Sequence, residues 1–277
     1  MCLIVFAWHV LPDMPLIAAA NRDEFLDRPT APAMAWDDYP QIYAGRDLQA
    51  GGTWMGITQP GRFAAITNIR APSEKRTDAP SRGNLVADFL RGNMSPRSYI
   101  DAIQDASAEY NGFNLLVGDR EQLIWFSNRG SEDVRNGQPL APGIYGISNA
   151  LLDTPWPKVV RTKAQFASLL CQRAPEEAYF DMLFDTTRAA SDCRLPKTGI
   201  DIELERLLSA PYIEAPNYGT RASTLVRLYN KAPAALIERV RPRVATEQDA
   251  QPERLYSSNA RSCRYSEYNP EGDHHGR

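Results

Sequence analysis

The order of segments along the chain predicts an α+β protein built from antiparallel sheets with helices packed on their outer faces. Strand-like runs come in hairpins, and helical runs follow them in groups, rather than strands and helices alternating one by one. No glycine-rich GxGxxG or P-loop segment is present, which removes the usual signature of a doubly wound nucleotide-binding fold. With 277 residues, of which 43% are hydrophobic, the chain can bury a sizeable core.

The first two strands are predicted as a hairpin. Residues 2–9 and 15–20 are apolar runs, and the break between them contains Pro12 and Asp13, two residues that favour turns. If the turn centres between Pro12 and Asp13, the antiparallel register places Cys2 opposite Asp23, with Cβ atoms about 5 Å apart. A register slip of one residue would present a neighbour of Asp23 instead, either Arg22 or Glu24.

A second hairpin is predicted from residues 53–58 and 62–68, which are separated by Gln59-Pro60-Gly61, and Asn68 lies at its exit. After it, apolar spacing of the helical kind begins, and Ser95 followed by Pro96 is a helix start signal. The predicted elements are helices at 82–90 and 96–110, strands at 113–117, 123–127 and 144–148, helices at 156–170, 175–183 and 202–208, and a strand at 223–228.

Composition divides the chain into one domain, residues 1–244, and a polar tail, residues 245–277. The tail has few aliphatic residues, which predicts that it is poorly ordered or loosely docked. Its His274 and His275 are not expected to take part in catalysis.

Charge and cysteine spacing exclude several classes of function. The net charge is −3, from 31 basic and 34 acidic residues, without the basic block that nucleic-acid binding requires. The opening apolar run has no basic residue before it and is soon interrupted by polar residues, so neither a signal peptide nor a membrane span is predicted. Four cysteines without CxxC spacing predict reduced thiols and no metal or other cofactor. We therefore expect a soluble, cytoplasmic protein.

Cys2 is the candidate nucleophile because it directly follows Met1. Removal of Met1 would leave one residue with a thiol and a free α-amine, whose reference pKa values are about 8.5 and about 7.7–8.0. His9 would lie roughly 23 Å away along the same strand and on the opposite face, so the α-amine is the expected base. The alternative is that Cys2 is a small apolar residue in a buried strand.

The segment Asn21-Arg22-Asp23-Glu24, with Arg28-Pro29 after it, resembles the signature of the NRDE family, also called the transport and Golgi organisation family. Other segments resemble family motifs in the same order: Gly51-Gly52-Thr53-Trp54-Met55-Gly56, Thr67-Asn68, Ser81-Arg82-Gly83, Ser148-Asn149, Trp156-Pro157-Lys158 and Tyr218-Gly219-Thr220-Arg221. The resemblance covers residues 2 to about 230.

The family is in turn distantly similar to N-terminal nucleophile hydrolases that cleave bile-salt conjugates and penicillin V. This resemblance implies a four-layer αββα sandwich of two antiparallel sheets and an amidohydrolase that acts on a non-peptide C–N bond of a small molecule. The site positions it implies are Cys2, Arg22, Asp23, Asn68, Asn149 and Arg221.

The same resemblance implies the roles. Cys2 would attack a carbonyl, with Asp23 or Glu24 orienting its amine, and the question between these two stays open because the hydrolases space their Arg and Asp three apart. Asn68 and Asn149 would stabilise an oxyanion. Without the resemblance, each asparagine is equally explained as a turn residue.

Positive charge from Arg22 and Arg221 would lower the pKa of the thiol. Without the resemblance, Arg22 and Asp23 are explained as a solvated ion pair, and Arg221 is explained as a residue at a strand edge.

Two alternatives to hydrolysis remain. One is acyl transfer to an amine. The other, which the family resemblance also implies, is a non-catalytic haem-binding or trafficking protein on the same fold, for which haem would be a ligand.

Overall fold

The computed structural model describes residues 2–241 and the backbone of residues 253–257 and 265–266. Two antiparallel sheets form its centre. The seven-stranded sheet contains, in spatial order, β13 (Tyr265–Ser266), β12 (Glu253–Ser257), β11 (Ala235–Val240), β10 (Tyr218–Leu228), β2 (Met14–Phe25), β1 (Cys2–Leu11) and β9 (Gly143–Ile147). The six-stranded sheet contains β3 (Thr30–Ala35), β4 (Ile42–Asp47), β5 (Met55–Thr58), β6 (Phe63–Asn68), β7 (Phe113–Gly118) and β8 (Leu123–Ser127).

The sheets pack face to face and helices cover their other faces. Phe6 and Trp8 of one sheet meet Phe63 and Trp125 of the other in the central core. Helices α1 (Gly83–Arg91) and α2 (Pro96–Ile103) pack on the six-stranded sheet, and α3 (Pro157–Gln172) and α4 (Glu176–Leu183) pack on the seven-stranded sheet. Helix α5 (Ile202–Leu207) follows them in the chain. This arrangement confirms the predicted αββα sandwich.

The predicted register of the first hairpin is wrong by one residue. Cys2 pairs with Arg22, not with Asp23. The turn-centred register holds at Leu11 and Met14, but a bulge then shifts it, and His9 in that bulge has a left-handed φ of 47°. The strand opposite contains Pro15, which has no N–H for the ladder, so the pairing is interrupted there.

The other predicted elements are present, with ends displaced by a few residues, and Ser95 accepts the expected capping hydrogen bond from the Ser98 N–H at 3.1 Å. The second predicted helix is shorter than expected, because α2 ends at Ile103 and a 3₁₀ turn, Asp105–Glu109, follows. Within residues 2–241, three strands were not predicted, namely β3, β4 and β11. β3 contains Pro32, and its pairing with β4 is irregular, so neither strand shows clear apolar alternation.

Two segments of the predicted polar tail are strands, because β12 pairs with β11 and β13 pairs with β12. The remainder of residues 245–277, including His274 and His275, lies outside the described residues. Within the described part of the chain, no helix has both the length and the apolar character needed to cross a membrane.

Candidate active site

Cys2 is the first residue of β1 and lies half-buried at one end of the seven-stranded sheet. Its sulfur accepts a hydrogen bond from the backbone N–H of Asp23. Burial raises the pKa of the Cys2 thiol, whereas the Arg22 guanidinium, the backbone N–H and other nearby positive charge act in the opposite direction. The thiol therefore depends on its charged neighbours for ionisation.

We call the face of this sheet that meets the six-stranded sheet the inner face, and the face that meets α3 and α4 the outer face. Arg22 is on the inner face with Cys2, because directly paired residues share a face. Its side chain is only 6% exposed, and its guanidinium carbon lies 4.1 Å from the centre of the Trp54 ring. Nη1 of Arg22 has no hydrogen-bond partner among the described residues, and the Glu24 carboxylate is 4.0 Å from Nη2.

Trp54 reaches this position because Gly45 has no side chain. A Cβ at residue 45 would lie 2.1 Å from the ring. Arg82, which precedes α1, is a second cation whose charge interacts with Cys2 and with Glu24. The guanidinium groups of Arg22 and Arg82 thus both interact with Cys2.

Asp23 is on the outer face, because successive side chains of a strand point to opposite sides. It is 1% exposed, and Oδ1 accepts a hydrogen bond of 2.7 Å from the Thr220 hydroxyl. Burial raises the pKa of Asp23, and the Lys158 ammonium is the largest opposing influence. Arg22 lowers the pKa of the Cys2 thiol from the inner face, and Asp23 raises it from the outer face. Glu24 is more exposed than Asp23, at 23%.

The two predicted asparagines lie next to each other near Cys2. The Ser148 hydroxyl donates a hydrogen bond of 2.9 Å to the carbonyl of Cys2, and Asn149 Nδ2 donates one of the same length to the carbonyl of Asn68. That bond uses one N–H of the Asn149 amide, while the Asn68 amide has no hydrogen-bond partner within the described part of the chain. N–H groups therefore remain available here for an oxyanion.

Arg221 lies in a bulge of β10, and its guanidinium contacts the chain after β2. Its guanidinium donates to the carbonyls of Phe25 and Arg28, with the Thr30 hydroxyl 3.4 Å away. These contacts hold the connection between β2 and β3. That Arg221 lowers the pKa of the Cys2 thiol stays a prediction.

Lys158 is the residue that sequence reasoning did not select for the site. It is 1% exposed, in the first turn of α3, and its Nζ has no hydrogen-bond partner among the described residues. Burial lowers the pKa of Lys158 to about 8, partly offset by the Asp23 carboxylate. A positive charge at a helix N-terminus is unfavourable because of the helix dipole, and the position of Lys158 just after Pro157 was the feature of the sequence that could have indicated a special role.

Next to Lys158 is a buried ion pair. Arg70 Nη1 lies 2.5 Å from Glu205 Oε2, and the two side chains are 5% and 2% exposed. The Arg70 guanidinium also lies over the Trp156 ring, at 4.8 Å.

A cavity of about 400 Å³ adjoins this end of the molecule. Its lining includes Asn149, Trp156, Leu151 and Ile69, with Lys197 as a cation. Among the described residues no cluster of three or more histidine, cysteine or acidic side chains is arranged to hold a metal ion. Asn149 lies in the wall of the cavity, whereas Cys2 does not line it.

A family model described as Transport and Golgi organisation 2 matches residues 1–242. The Transport and Golgi organization protein 2 homolog of Bos taurus is 36% identical over 247 residues, covering 82% of this chain and 88% of the relative. The homolog of Homo sapiens is 34% identical over the same shares of the two chains. The Drosophila melanogaster protein is 30% identical, covering 61% of this chain and 65% of the relative.

Solved structures similar to this chain include a mutant of conjugated bile acid hydrolase from Clostridium perfringens, with a TM-score of 0.46, 9% identity and 99% of each chain covered. Another is the Caenorhabditis elegans ortholog of N-acylethanolamine-hydrolyzing acid amidase, with a TM-score of 0.42 and 12% identity, covering 81% of this chain and 92% of that one. Penicillin V acylase from Agrobacterium tumefaciens has a TM-score of 0.41 and 12% identity, covering 88% of this chain and 84% of that one.

Proposed function

The chain belongs to the Transport and Golgi organisation 2 family, and we propose that it is a cytoplasmic N-terminal cysteine amidohydrolase that cleaves a non-peptide C–N bond of a small molecule. The observation that carries the proposal is the position of the Cys2 sulfur, which accepts the Asp23 N–H between the charges of Arg22 and Asp23. A buried cysteine that served packing alone would need none of these groups.

The proposed reaction uses covalent chemistry and no metal or cofactor. After removal of Met1, the Cys2 sulfur attacks the amide carbon and its proton passes to the α-amine. The tetrahedral oxyanion is stabilised by N–H groups of Asn68 and Asn149. The C–N bond then breaks, the leaving amine takes the proton, and water hydrolyses the thioester and restores the thiol.

The test compares two forms of the protein. In one, Cys2 is the free N-terminal residue, and in the other an extra residue before Cys2 is not removed. Each is treated with a low dose of iodoacetamide, and the labelled cysteine is identified by mass spectrometry. Burial raises the pKa of the Cys2 thiol, so its reactivity in this proposal depends on the free α-amine, and we expect Cys2 to be alkylated faster in the free form than in the form with the extra residue. The exposed thiols of Cys171 and Cys193 should react equally in both forms and serve as the internal reference. The same preparations are then assayed against a panel of small amides, with Cys2→Ala as the inactive control.

Alkylation of Cys2 at the same rate in both forms would contradict a nucleophile that is activated by its own α-amine. Reactive Cys2 without amide turnover would shift the proposal towards acyl transfer, in which an amine replaces water. Turnover that persists in Cys2→Ala would exclude Cys2 as the nucleophile.

The names of the relatives refer to transport and Golgi organisation, and they favour a second candidate, a trafficking protein on the same fold. That such a protein would bind haem as a ligand stays a prediction. In the described part of the chain the available histidine is His9, which is exposed in the bulge of the first hairpin. Haem titration of the wild type and of His9→Ala tests this. A saturable Soret shift at micromolar haem supports it, and its absence removes it.

A further inference from the structure

Lys158, which has no role in the proposed reaction, lies in a cluster of charged groups next to the nucleophile. Cys2 from β1, Asp23 from β2, Arg70 after β6 and Glu205 from α5 all interact with it electrostatically. Tyr218 of β10 interacts with Cys2, Asp23 and Arg70, so it borders the same cluster. The groups arrive from five separate parts of the chain, and Lys158 lies among them at the start of α3.

The surroundings make this a costly place for a lysine. Its Nζ is buried without a hydrogen-bond partner among the described residues, and it stands at the positive end of the α3 dipole. Glu205 is already held by Arg70 at 2.5 Å and by the Thr198 hydroxyl at the same distance. Asp23 is therefore the principal counter-charge for Lys158.

The negative charge of Asp23 opposes ionisation of the Cys2 thiol, and the positive charge of Lys158 counteracts this effect. The carboxylate of Asp23 disfavours a thiolate at Cys2, because two negative charges would lie close together in a poorly solvated site. The Lys158 ammonium offsets the Asp23 charge.

We propose that Lys158 is a positioning residue that keeps Asp23 a carboxylate and balances its charge, so that Cys2 can form a thiolate beside it. This inference rests on the proposed function, since it assigns Lys158 to the activation of the same thiol. Lys158 acts through Asp23 and forms no bond with the substrate.

The experiment measures the rate of Cys2 alkylation by iodoacetamide between pH 6 and pH 10, with the labelled site confirmed by mass spectrometry. The variants are Lys158→Met, which removes the charge and keeps the length, and Lys158→Arg, which keeps the charge. Lys163→Met is the matched control, because Lys163 is also in α3 but pairs with Asp153 at 2.7 Å and is 34% exposed.

At pH 7 we expect Lys158→Met to be alkylated about tenfold more slowly than the wild type, corresponding to one pKa unit of the thiol. Lys158→Arg should recover most of the rate, and Lys163→Met should match the wild type. The difference between Lys158→Met and the wild type should shrink above about pH 8, where Lys158 loses its own proton. A structural defect alone would not produce this pH dependence.

A double-mutant cycle with Asp23→Asn separates the effect from any loss of folding. If Lys158 acts mainly through Asp23, the Lys158→Met substitution should slow alkylation less in the Asp23→Asn background than in the wild type, and the remaining effect is its direct interaction with Cys2. An equal effect in both backgrounds would overturn the role of Asp23. Lys158→Met leaves the buried Asp23 carboxylate without its principal counter-charge, so circular dichroism of each variant verifies the fold before alkylation rates are compared.

Equal rates in Lys158→Met and wild type, with Cys2 reactive, would overturn this inference and leave the proposed amidohydrolase intact. Lys158→Arg as slow as Lys158→Met would also overturn it, because charge would not be the relevant property. An unreactive Cys2 in the wild type would overturn both proposals.

Discussion

The inner and outer faces of the seven-stranded sheet each bury a charged group, and the two groups have opposite sign. On the inner face, burial raises the pKa of Glu238 to about 7, although Glu238 Oε1 accepts the Ala33 N–H at 2.7 Å. On the outer face, burial lowers the pKa of Lys158 to about 8. Both shifts favour the neutral form of the group, because the sheet excludes water from each face. Both faces of this sheet are therefore poorly solvated.

The two groups give opposite dependences of stability on pH. Glu238 has a raised pKa in the folded state, so its contribution is present below the unfolded value of 4.5 and is lost as the pH rises to about 7. Lys158 has a lowered pKa in the folded state, so its contribution is present above the unfolded value of 10.5 and is lost as the pH falls to about 8. The comparison can be tested on each face separately.

The largest expected effect is on the outer face. Glu205→Ala removes the carboxylate that pairs with the buried Arg70, and should lower the free energy of unfolding by about 3–5 kcal/mol. Glu203→Ala is the matched control in the same helix, because Glu203 is 76% exposed and its pair with Arg206 should contribute less than about 1 kcal/mol. Urea unfolding at pH 7 measures both. A similar loss in the two variants would show that burial does not distinguish these pairs.

The next effect belongs to the inner face and depends on pH. Glu238→Gln keeps an oxygen acceptor for the Ala33 N–H but cannot ionise. Relative to this variant, the wild type should lose up to about 3 kcal/mol of unfolding free energy as the pH rises from 4.5 to 7. The measurement is urea unfolding at several pH values. Lys158→Met should leave this pH window unchanged, because Lys158 titrates above it. Parallel curves for Glu238→Gln and wild type would contradict the assignment.

The smallest effect compares the aromatic rings under the two buried arginines. Trp54 lies 4.1 Å from Arg22 on the inner face, and Trp156 lies 4.8 Å from Arg70 on the outer side. Replacing each tryptophan by phenylalanine weakens the cation–π contact, so each variant should lose about 1 kcal/mol of unfolding free energy. Trp54→Phe should also alter the rate of Cys2 alkylation more than Trp156→Phe, since Arg22 pairs directly with Cys2. Equal alkylation rates in the two variants would show that the contact between Trp54 and Arg22 does not affect the reactivity of the Cys2 thiol.

Prediction from the sequence succeeded where the local pattern was strong. The apolar runs of β1 and β2, and the Ser95-Pro96 helix start, carry their structure in neighbouring residues. β3 and β11 were missed because short, half-polar strands are defined by their partners. The register failed because a bulge at His9 adds one residue to β1, and such a bulge depends on the pairing with β2.

The candidate site divides in the same way. Cys2, Arg22, Asp23 and the two asparagines could be selected from the sequence because they lie in local motifs at strand ends. Lys158 lies in a family motif at a helix start, but it was not selected for the site, because its burial and its proximity to Asp23 arise only when α3 packs on the outer face.

The sequence by itself determined the hairpins, the helices and the position of a thiol next to the initiator methionine, since each depends on residues close together in the chain. The tertiary structure decided which charges surround that thiol. Arg22 and Asp23 are neighbours in sequence, yet strand alternation and the packing of two sheets and five helices send them to opposite faces. Electrostatic interactions depend on distance and on the exclusion of water, and the folded chain establishes both.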